Sequence, residues 1–202
     1  NQLGQFLLVW ESLDQDGDDW GVFGRLFGPD GSPVGPELQI NTHSEMSQQD
    51  PRTAALADGR FVVVWATEAH PNDADGFGIA ARLVDTNGAA DGPEFLVNTF
   101  TEGDQLAPVP VGTEGGFLVA WEKEGSGDAK GIWCRAFDED GDALMEGQVR
   151  VNAAIDPQQR GVALAPLAGG AVAAWASKDQ DGSGWGVFTR RLSATCDKVT
   201  SE

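Results

Sequence analysis

Aspartate recurs in short loops of the chain that also contain glycine. The first acidic loop, residues 14–19, has Asp14, Asp16 and Asp18 at alternate positions, and the fourth acidic loop, residues 179–183, has Asp179 and Asp181. Alternating carboxylates around a glycine turn suit Ca²⁺, which takes about six to eight oxygen ligands in irregular geometry. We therefore predict calcium as a cofactor at these five residues. The alternative is that Asp and Gly form turns without a metal, since the first loop lacks the bidentate Glu that ends an EF-hand loop.

Two tryptophans follow these loops directly. Trp20 comes after the first acidic loop and Trp185 after the fourth, whereas the third loop has Asp128 together with Lys130, whose charge disfavours a cation. An aromatic plane beside carboxylates can stack on a sugar ring. We predict Trp20 and Trp185 as lectin-like ligand-binding residues. The alternative is that both pack between neighbouring structural units.

The elements that position these residues recur about every 55 residues. Four hydrophobic segments end in Trp10, Trp65, Trp121 and Trp175. Other residues keep the same spacing: Asn41, Asn98 and Asn152; Gln49, Gln105 and Gln159; Arg25, Arg82, Arg135 and Arg190. Short strands and turns at such a period predict a β-propeller or a related radial array. We expect the recurring polar residues to hold the units together and binding to occur in the variable loops.

Each unit is predicted to contain four antiparallel strands, which in the most complete unit are residues 51–56, 61–65, 78–84 and 94–98. The fold class is all-β, a propeller-like array of roughly 3.5 to 4 units of about 55 residues. The predicted domain covers residues 1–193, with units at about 1–50, 51–107, 108–161 and a partial unit at 162–193, followed by a C-terminal tail at 194–202. The incomplete unit leaves strand edges unpaired, which predicts self-association or a second chain that completes the propeller.

Charge and composition limit the partners. The 32 acidic and 13 basic residues give a net charge of −19, which disfavours nucleic acid. No apolar run is long enough to cross a bilayer as a helix, so membrane insertion is not expected. The chain begins with Asn and shows no signal-peptide pattern, as expected of a processed or trimmed piece that is secreted or at the cell surface. Cys134 and Cys196 could be free, paired or intermolecular.

Two segments resemble the Asp-box of sialidases and other propellers, Ser-x-Asp-x-Gly-x-Thr-Trp. They are residues 12–20 and 177–185, each with one additional residue and without the Thr. More broadly, the repeat, with its Gly-Val-Phe-x-Arg-x-Phe strand at residues 21–27, resembles tandem propeller-like repeats of bacterial secreted and surface proteins. In the Asp-box family this turn is structural, so the resemblance implies a fold rather than catalysis.

Motifs for catalysis are scarce. The chain has no Tyr, its two His residues stand apart, and neither Gly-x-Ser-x-Gly nor His-Glu-x-x-His occurs, so we predict that it is not an enzyme. The predicted function is a non-enzymatic extracellular recognition or adhesion module, binding carbohydrate or protein through acidic loops on one face. The alternative is a structural subunit of an extracellular assembly joined through open strand edges. A glycan-processing hydrolase that uses a pair of carboxylates is the least favoured possibility.

Overall fold

The computed structural model describes residues 1–123, 131–154 and 158–200. Its described part contains fourteen strands in four antiparallel sheets, which we number in chain order. Sheet 1 has three strands, β1 (Phe6–Leu13), β2 (Trp20–Phe27) and β3 (Leu38–Gln39). Sheet 2 has four, β4 (Gln48–Ala55), β5 (Phe61–His70), β6 (Asp73–Val84) and β7 (Ala90–Leu96). The prediction of an all-β, propeller-like fold is thus confirmed.

The second half of the chain forms two further antiparallel sheets. Sheet 3 consists of β8 (Gln105–Thr113), β9 (Gly116–Lys123), β10 (Gly131–Phe137) and β11 (Val149–Arg150). Sheet 4 consists of β12 (Gln159–Leu167), β13 (Gly170–Lys178) and β14 (Trp185–Ser193). Strands pair in sequence order within every sheet, as hairpin connections require. The third acidic loop, with Asp128 and Lys130, lies outside the described residues.

The sheets stack side by side through β4, β8 and β12, which contact one another in that order. Small side chains permit this approach: a Cβ added at Gly112 of β8 would lie 2.2 Å from the Ala55 carbonyl oxygen of β4. Larger residues would force the two strands apart. The close approach of these first strands therefore depends on small residues such as Gly112.

The hydrophobic core lies between successive sheets. Trp65 of sheet 2 packs with Val22 and Ile40 of sheet 1, and Trp121 of sheet 3 packs in the same way on sheet 2. Trp175 of sheet 4 packs on sheet 3. These three tryptophans are 0–1% exposed. We call the side of each sheet that carries this Trp its Trp face, so each Trp face covers the opposite face of the preceding sheet.

Recurring arginines add polar contacts across these interfaces. Arg82 Nη1 donates to the Ile40 carbonyl at 2.9 Å, and Arg135 Nη1 donates to the Val97 carbonyl at 2.8 Å. Arg190 makes the corresponding contact with Val151. Burial lowers the pKa of Arg135. The arginines therefore link each sheet to the one before it, as expected for residues that hold the units together.

The two cysteines form a disulfide between Cys134 in β10 and Cys196, which follows β14. After this cysteine the chain turns back along β14, where Val199 N donates to the Arg191 carbonyl at 3.0 Å. The bridge joins sheet 3 covalently to the segment beyond sheet 4. Among the described residues, no helix is long and apolar enough to span a lipid bilayer.

Candidate active site

The first strands of sheets 2, 3 and 4 share a β-bulge near their starts. The pairing register shifts between Gln49 and Arg52 in β4, and at the corresponding points of β8 and β12. The bulged residues Asp50, Ala107 and Gly161 have φ of 53°, 51° and 67°. Bulges of this kind redirect a side chain or a backbone group and are frequent beside active sites.

Two glutamates bond to the bulges from the neighbouring sheet. Glu11 at the end of β1 accepts a hydrogen bond from Asp50 N at 2.8 Å. Glu122 of β9 accepts one from Gly161 N at 2.6 Å. The glutamates directly follow Trp10 and Trp121, whereas Ala66 directly follows Trp65. Sheets 1 and 3 therefore supply a glutamate at this position and sheet 2 does not. The bulges thus place Glu11 beside Asp50 of β4 and Glu122 beside Gly161 of β12.

These carboxylates line two adjoining cavities. The first, of about 210 Å³, is bordered by Glu122, Asp50 and Arg52, together with Pro108 and Val109. The second, of about 310 Å³, is bordered by Glu11 and again by Asp50 and Arg52. Asp50 and Arg52 form an ion pair of 2.7 Å. The cavities therefore share one charged wall, formed by β4.

Carboxylates on either side of a small cleft can perform acid–base chemistry. In glycoside hydrolysis one carboxylic acid protonates the leaving oxygen, while a second carboxylate activates water or attacks the sugar. The cleft also contains a guanidinium, which can donate hydrogen bonds to sugar hydroxyls. The arrangement therefore has the chemical groups that glycoside hydrolysis requires.

The first acidic loop is tied to the segment that links sheets 1 and 2. Asp16 Oδ2 accepts a hydrogen bond from Asn41 Nδ2 at 2.6 Å, and Asp18 Oδ2 accepts one from Met46 N at 3.0 Å. Asp14 adopts φ of 59° and its N–H donates to the Asp19 carbonyl. Within the described ranges, no group of three or more His, Cys, Asp or Glu residues is placed to hold a metal ion. Calcium at this loop stays a prediction.

The fourth acidic loop closes on itself. Asp179 Oδ1 accepts a hydrogen bond from Gly184 N at 2.8 Å. The carboxyl group of Asp181 lies against Gly186, where an added Cβ would be 2.6 Å from Oδ2. These contacts are those of a turn, and calcium at Asp179 and Asp181 also stays a prediction.

Trp20 and Trp185 occupy corresponding positions in different sheets. Trp20 is half-buried at the start of β2, opposite Leu13. Trp185 begins β14, is 42% exposed, and has the Arg160 guanidinium 4.0 Å from its ring centroid. The structure therefore places one exposed aromatic plane on sheet 4, and the sugar-binding role of both tryptophans stays a prediction.

A buried polar network links sheet 2 to sheet 3. Asn98 Nδ2 donates to Asp73 Oδ2 and to Gln105 Oε1, both at 2.7 Å, and Asn98 Oδ1 accepts from Ile79 N at 2.8 Å. Asp16, Asn41 and Gln48 form the corresponding set between sheets 1 and 2. The recurring glutamine of that set is thus Gln48 rather than Gln49. Burial raises the pKa of Asp73, and the bond from Asn98 opposes that shift.

A histidine lies near this network. His70 Nε2 is 3.7 Å from Glu94 Oε1, and Glu94 Oε2 accepts hydrogen bonds from the backbone and the hydroxyl of Thr42. Burial lowers the pKa of His70, which the negative charge of Glu94 only partly offsets. The neutral imidazole accepts from Asn72 N through Nδ1 at 3.2 Å. This histidine is therefore part of the packing rather than of the cleft.

Glu11, Asp50 and Glu122 were not among the site residues predicted from the sequence. A usable signal existed, since Glu follows the recurring Trp at Trp10 and Trp121 but not at Trp65 or Trp175. Trp121 is buried in the central strand β9, and a charged residue directly after such a residue indicates a polar site. The bulge that brings Asp50 to the same place leaves no comparable signal.

Comparisons with known proteins find solved glycoside hydrolase structures with a similar fold. No protein-family model and no curated protein matches the chain. An α-L-arabinofuranosidase from Lactobacillus brevis matches with a TM-score of 0.56 at 10% identity, over 98% of this chain and 72% of that protein. An endo-arabinase from Bacteroides thetaiotaomicron matches with a TM-score of 0.53 at 14% identity, over 94% and 71%. A thermostable family-43 glycoside hydrolase gives 0.52 at 14%, over 98% and 72%. At these identities the likeness establishes the propeller-like fold alone.

These likenesses correct two predictions made from the sequence. The prediction of a non-enzymatic recognition or adhesion module is wrong, because the solved structures that share the fold are glycan-processing hydrolases. The prediction that the chain is not an enzyme is wrong for the same reason. Both rested on missing nucleophile motifs, whereas hydrolysis by a pair of carboxylates needs no local motif.

Proposed function

We propose that the chain hydrolyses glycosidic bonds at the cleft formed by Glu11, Asp50 and Glu122. The observation that carries the proposal is that three carboxylates from different strands border two adjoining cavities beside β4. Cavities of about 210 and 310 Å³ suit individual sugar residues. The names of the fold neighbours, an α-L-arabinofuranosidase, an endo-arabinase and an endo-1,4-β-xylanase, support a substrate rich in arabinose or xylose.

The residues have distinct proposed roles. Asp50, ion-paired with Arg52, is the candidate for the carboxylate that activates water or attacks the sugar. Glu122, across the same cavity, is the candidate acid that donates a proton to the leaving oxygen. Glu11 borders the adjoining cavity and supports the bulge through the Asp50 N–H. Together these residues would supply the two carboxylates that such a reaction needs.

We also propose that the four sheets are successive units of a repeat of about 55 residues, with Asp-box-like turns in the first and last units. A secreted or cell-surface location is supported by the disulfide between Cys134 and Cys196, since such bonds persist in oxidising compartments. An extracellular polysaccharide would be accessible there as substrate, with Trp20 and Trp185 as sugar contacts and calcium bound at the acidic loops.

The test is hydrolysis of 4-nitrophenyl α-L-arabinofuranoside and β-D-xylopyranoside, followed by arabinan and xylan. Glu122→Gln and Asp50→Asn should each lower kcat by about 100-fold or more. Glu122→Gln keeps an oxygen that can accept the Gly161 N–H, so the fold should be preserved. Glu114→Gln, at an exposed turn between β8 and β9, is the matched control and should retain full activity.

The controls separate catalysis from folding. Thermal melting of every variant should stay within a few degrees of the parent chain. No release above the uncatalysed rate with any of the four substrates would refute the proposed function. Activity that survives both substitutions would refute the assignment of Asp50 and Glu122.

A further inference from the structure

The first and last sheets each expose one apolar face. On the Trp face of sheet 1, Leu8 is 50% exposed and Phe6 is 42% exposed. On the opposite face of sheet 4, Val187 is 80% exposed and Leu167 is 41% exposed. On sheet 4 these two side chains lie at opposite ends of the face, which also exposes Arg191. Large apolar side chains left exposed on one face of a sheet can mark an interaction site.

Corresponding residues inside the array show what normally covers these faces. Leu8 pairs with Arg25 as Val63 pairs with Arg82, yet Val63 is 0% exposed. The position of Val187 in sheet 4 is that of Ile79 in sheet 2, which is also 0% exposed because sheet 3 covers it. Each exposed face therefore matches one side of an interior interface, with no second sheet packed against it in the described part of the same chain.

An aromatic pair gives a second comparison. Phe6 and Phe27 stack in sheet 1 with ring centroids 5.4 Å apart. Phe117 and Phe137 stack in the same way in sheet 3 at 5.1 Å, and there the pair is buried within the interface with sheet 2. The same ring geometry therefore occurs once in a buried interface and once at the open end of the array.

We propose that the Trp face of sheet 1 binds the opposite face of sheet 4 in a second copy of this chain. All three interior interfaces of the described chain pair these two kinds of face, so the two end faces are complementary. Their exposure shows that they do not cover each other within one copy. Such a head-to-tail contact is heterologous, and each copy offers both halves of it.

The sheet 1 half of this interface is separate from the carboxylate cleft, whereas on sheet 4 Val187 shares its face with Trp185, a proposed sugar contact. Val9 lies on the other side of β1 from Leu8 and packs against the cluster that includes sheet 2, and Glu11 shares that side by strand alternation. Substitutions on the Trp face of sheet 1 therefore leave the carboxylate cleft in place. Failure of either proposal can be recognised without the other.

The experiment measures mass in solution by light scattering and sedimentation over a wide concentration range. About 150 mM NaCl should be present to screen the net charge of −19. The parent chain should self-associate, and Leu8→Asp or Val187→Asp should weaken the association at least tenfold. Leu144→Asp is the matched control, because Leu144 is 46% exposed but lies in the connection between β10 and β11 of sheet 3. This variant should associate like the parent.

Mixing the two single variants tests the head-to-tail geometry. The Leu8→Asp chain keeps an intact sheet 4 face, and the Val187→Asp chain keeps an intact sheet 1 face. An equimolar mixture should therefore form dimers with the affinity of the parent chain, although each variant alone associates at least tenfold more weakly. A monomeric parent chain, a mixture that stays monomeric, or an equal effect of Leu144→Asp would each overturn the proposal.

Discussion

Replacing Asn98 with Ala tests the buried network between sheets 2 and 3. The Asn98 residue is 3% exposed, and its side chain bonds to Asp73, Gln105 and the Ile79 N–H. Alanine would leave these three buried groups without that partner. Each such loss costs about 1–3 kcal/mol, and partial relaxation reduces the sum. We expect the free energy of unfolding to fall by about 4 kcal/mol, which corresponds to roughly 10 °C in Tm for a chain of this length.

The effect of Asn98→Ala should depend on pH. Burial raises the pKa of Asp73, and the substitution removes the hydrogen bond that opposes this shift. A carboxyl with a raised pKa in the folded state costs stability at high pH, and that cost disappears as the pH falls through the raised value. The loss caused by Asn98→Ala should therefore be larger at pH 8 than at pH 5.

Urea denaturation followed by tryptophan fluorescence measures both effects. Asn87→Ala is the control, because Asn87 is exposed and bonds locally to Asp85; it should change stability by less than about 0.5 kcal/mol. Asn41→Ala should repeat the large loss, since Asn41 bonds to Asp16 and Gln48. A loss below about 1 kcal/mol for Asn98→Ala would refute the reasoning, and a loss independent of pH would refute the part assigned to Asp73.

Four further outcomes are expected. Reducing the Cys134–Cys196 bridge, which closes a loop of 62 residues, should lower unfolding stability by about 4 kcal/mol in urea titrations. Calcium should raise Tm if the acidic loops bind it, and an unchanged melting curve with calcium or chelator would contradict that prediction. Because the pKa of His70 is lowered, stability should fall as pH drops below about 6.5, and His70→Gln should flatten that slope in pH-dependent melts. Trp185→Ala should raise KM on polysaccharide with little change in kcat, whereas an unchanged KM would exclude Trp185 from substrate binding.

The regular features of the fold were predictable from the sequence because each leaves a local pattern. The apolar strands ending at Trp65, Trp121 and Trp175 predict central strands, and the structure buries all three residues. The predicted third strand at 78–84 is longer, since β6 already begins at Asp73. Asp and Gly residues at 73–76 are typical of a turn. In the structure Asp73 pairs with His70, and this pairing extends the strand.

The candidate site was not predictable in the same way. Asp50 reaches the cleft through a bulge with positive φ, which an ordinary Gln-Asp-Pro sequence does not indicate. Glu11 and Glu122 are distant in sequence and border adjoining cavities only because the sheets stack. A metal site was predicted at the acidic loops because their carboxylates are close together in sequence. In the structure Asp16 and Asp18 instead accept hydrogen bonds from the segment that links sheets 1 and 2. Proximity in the chain was thus a poor guide to proximity in space.

The Cys134–Cys196 bridge makes the two ends of the array mechanically unequal. Sheet 4 cannot separate from sheet 3 beyond the reach of a covalent bond, whereas sheet 1 is held to sheet 2 by packing and by hydrogen bonds such as Asn1 Nδ2 to the Gly59 carbonyl at 2.7 Å. Opening motions should therefore begin at the amino-terminal sheet and progress inward. Since Glu11 belongs to that sheet and Glu122 to the third, fluctuation at the loose end would widen one half of the cleft while leaving the other half rigid.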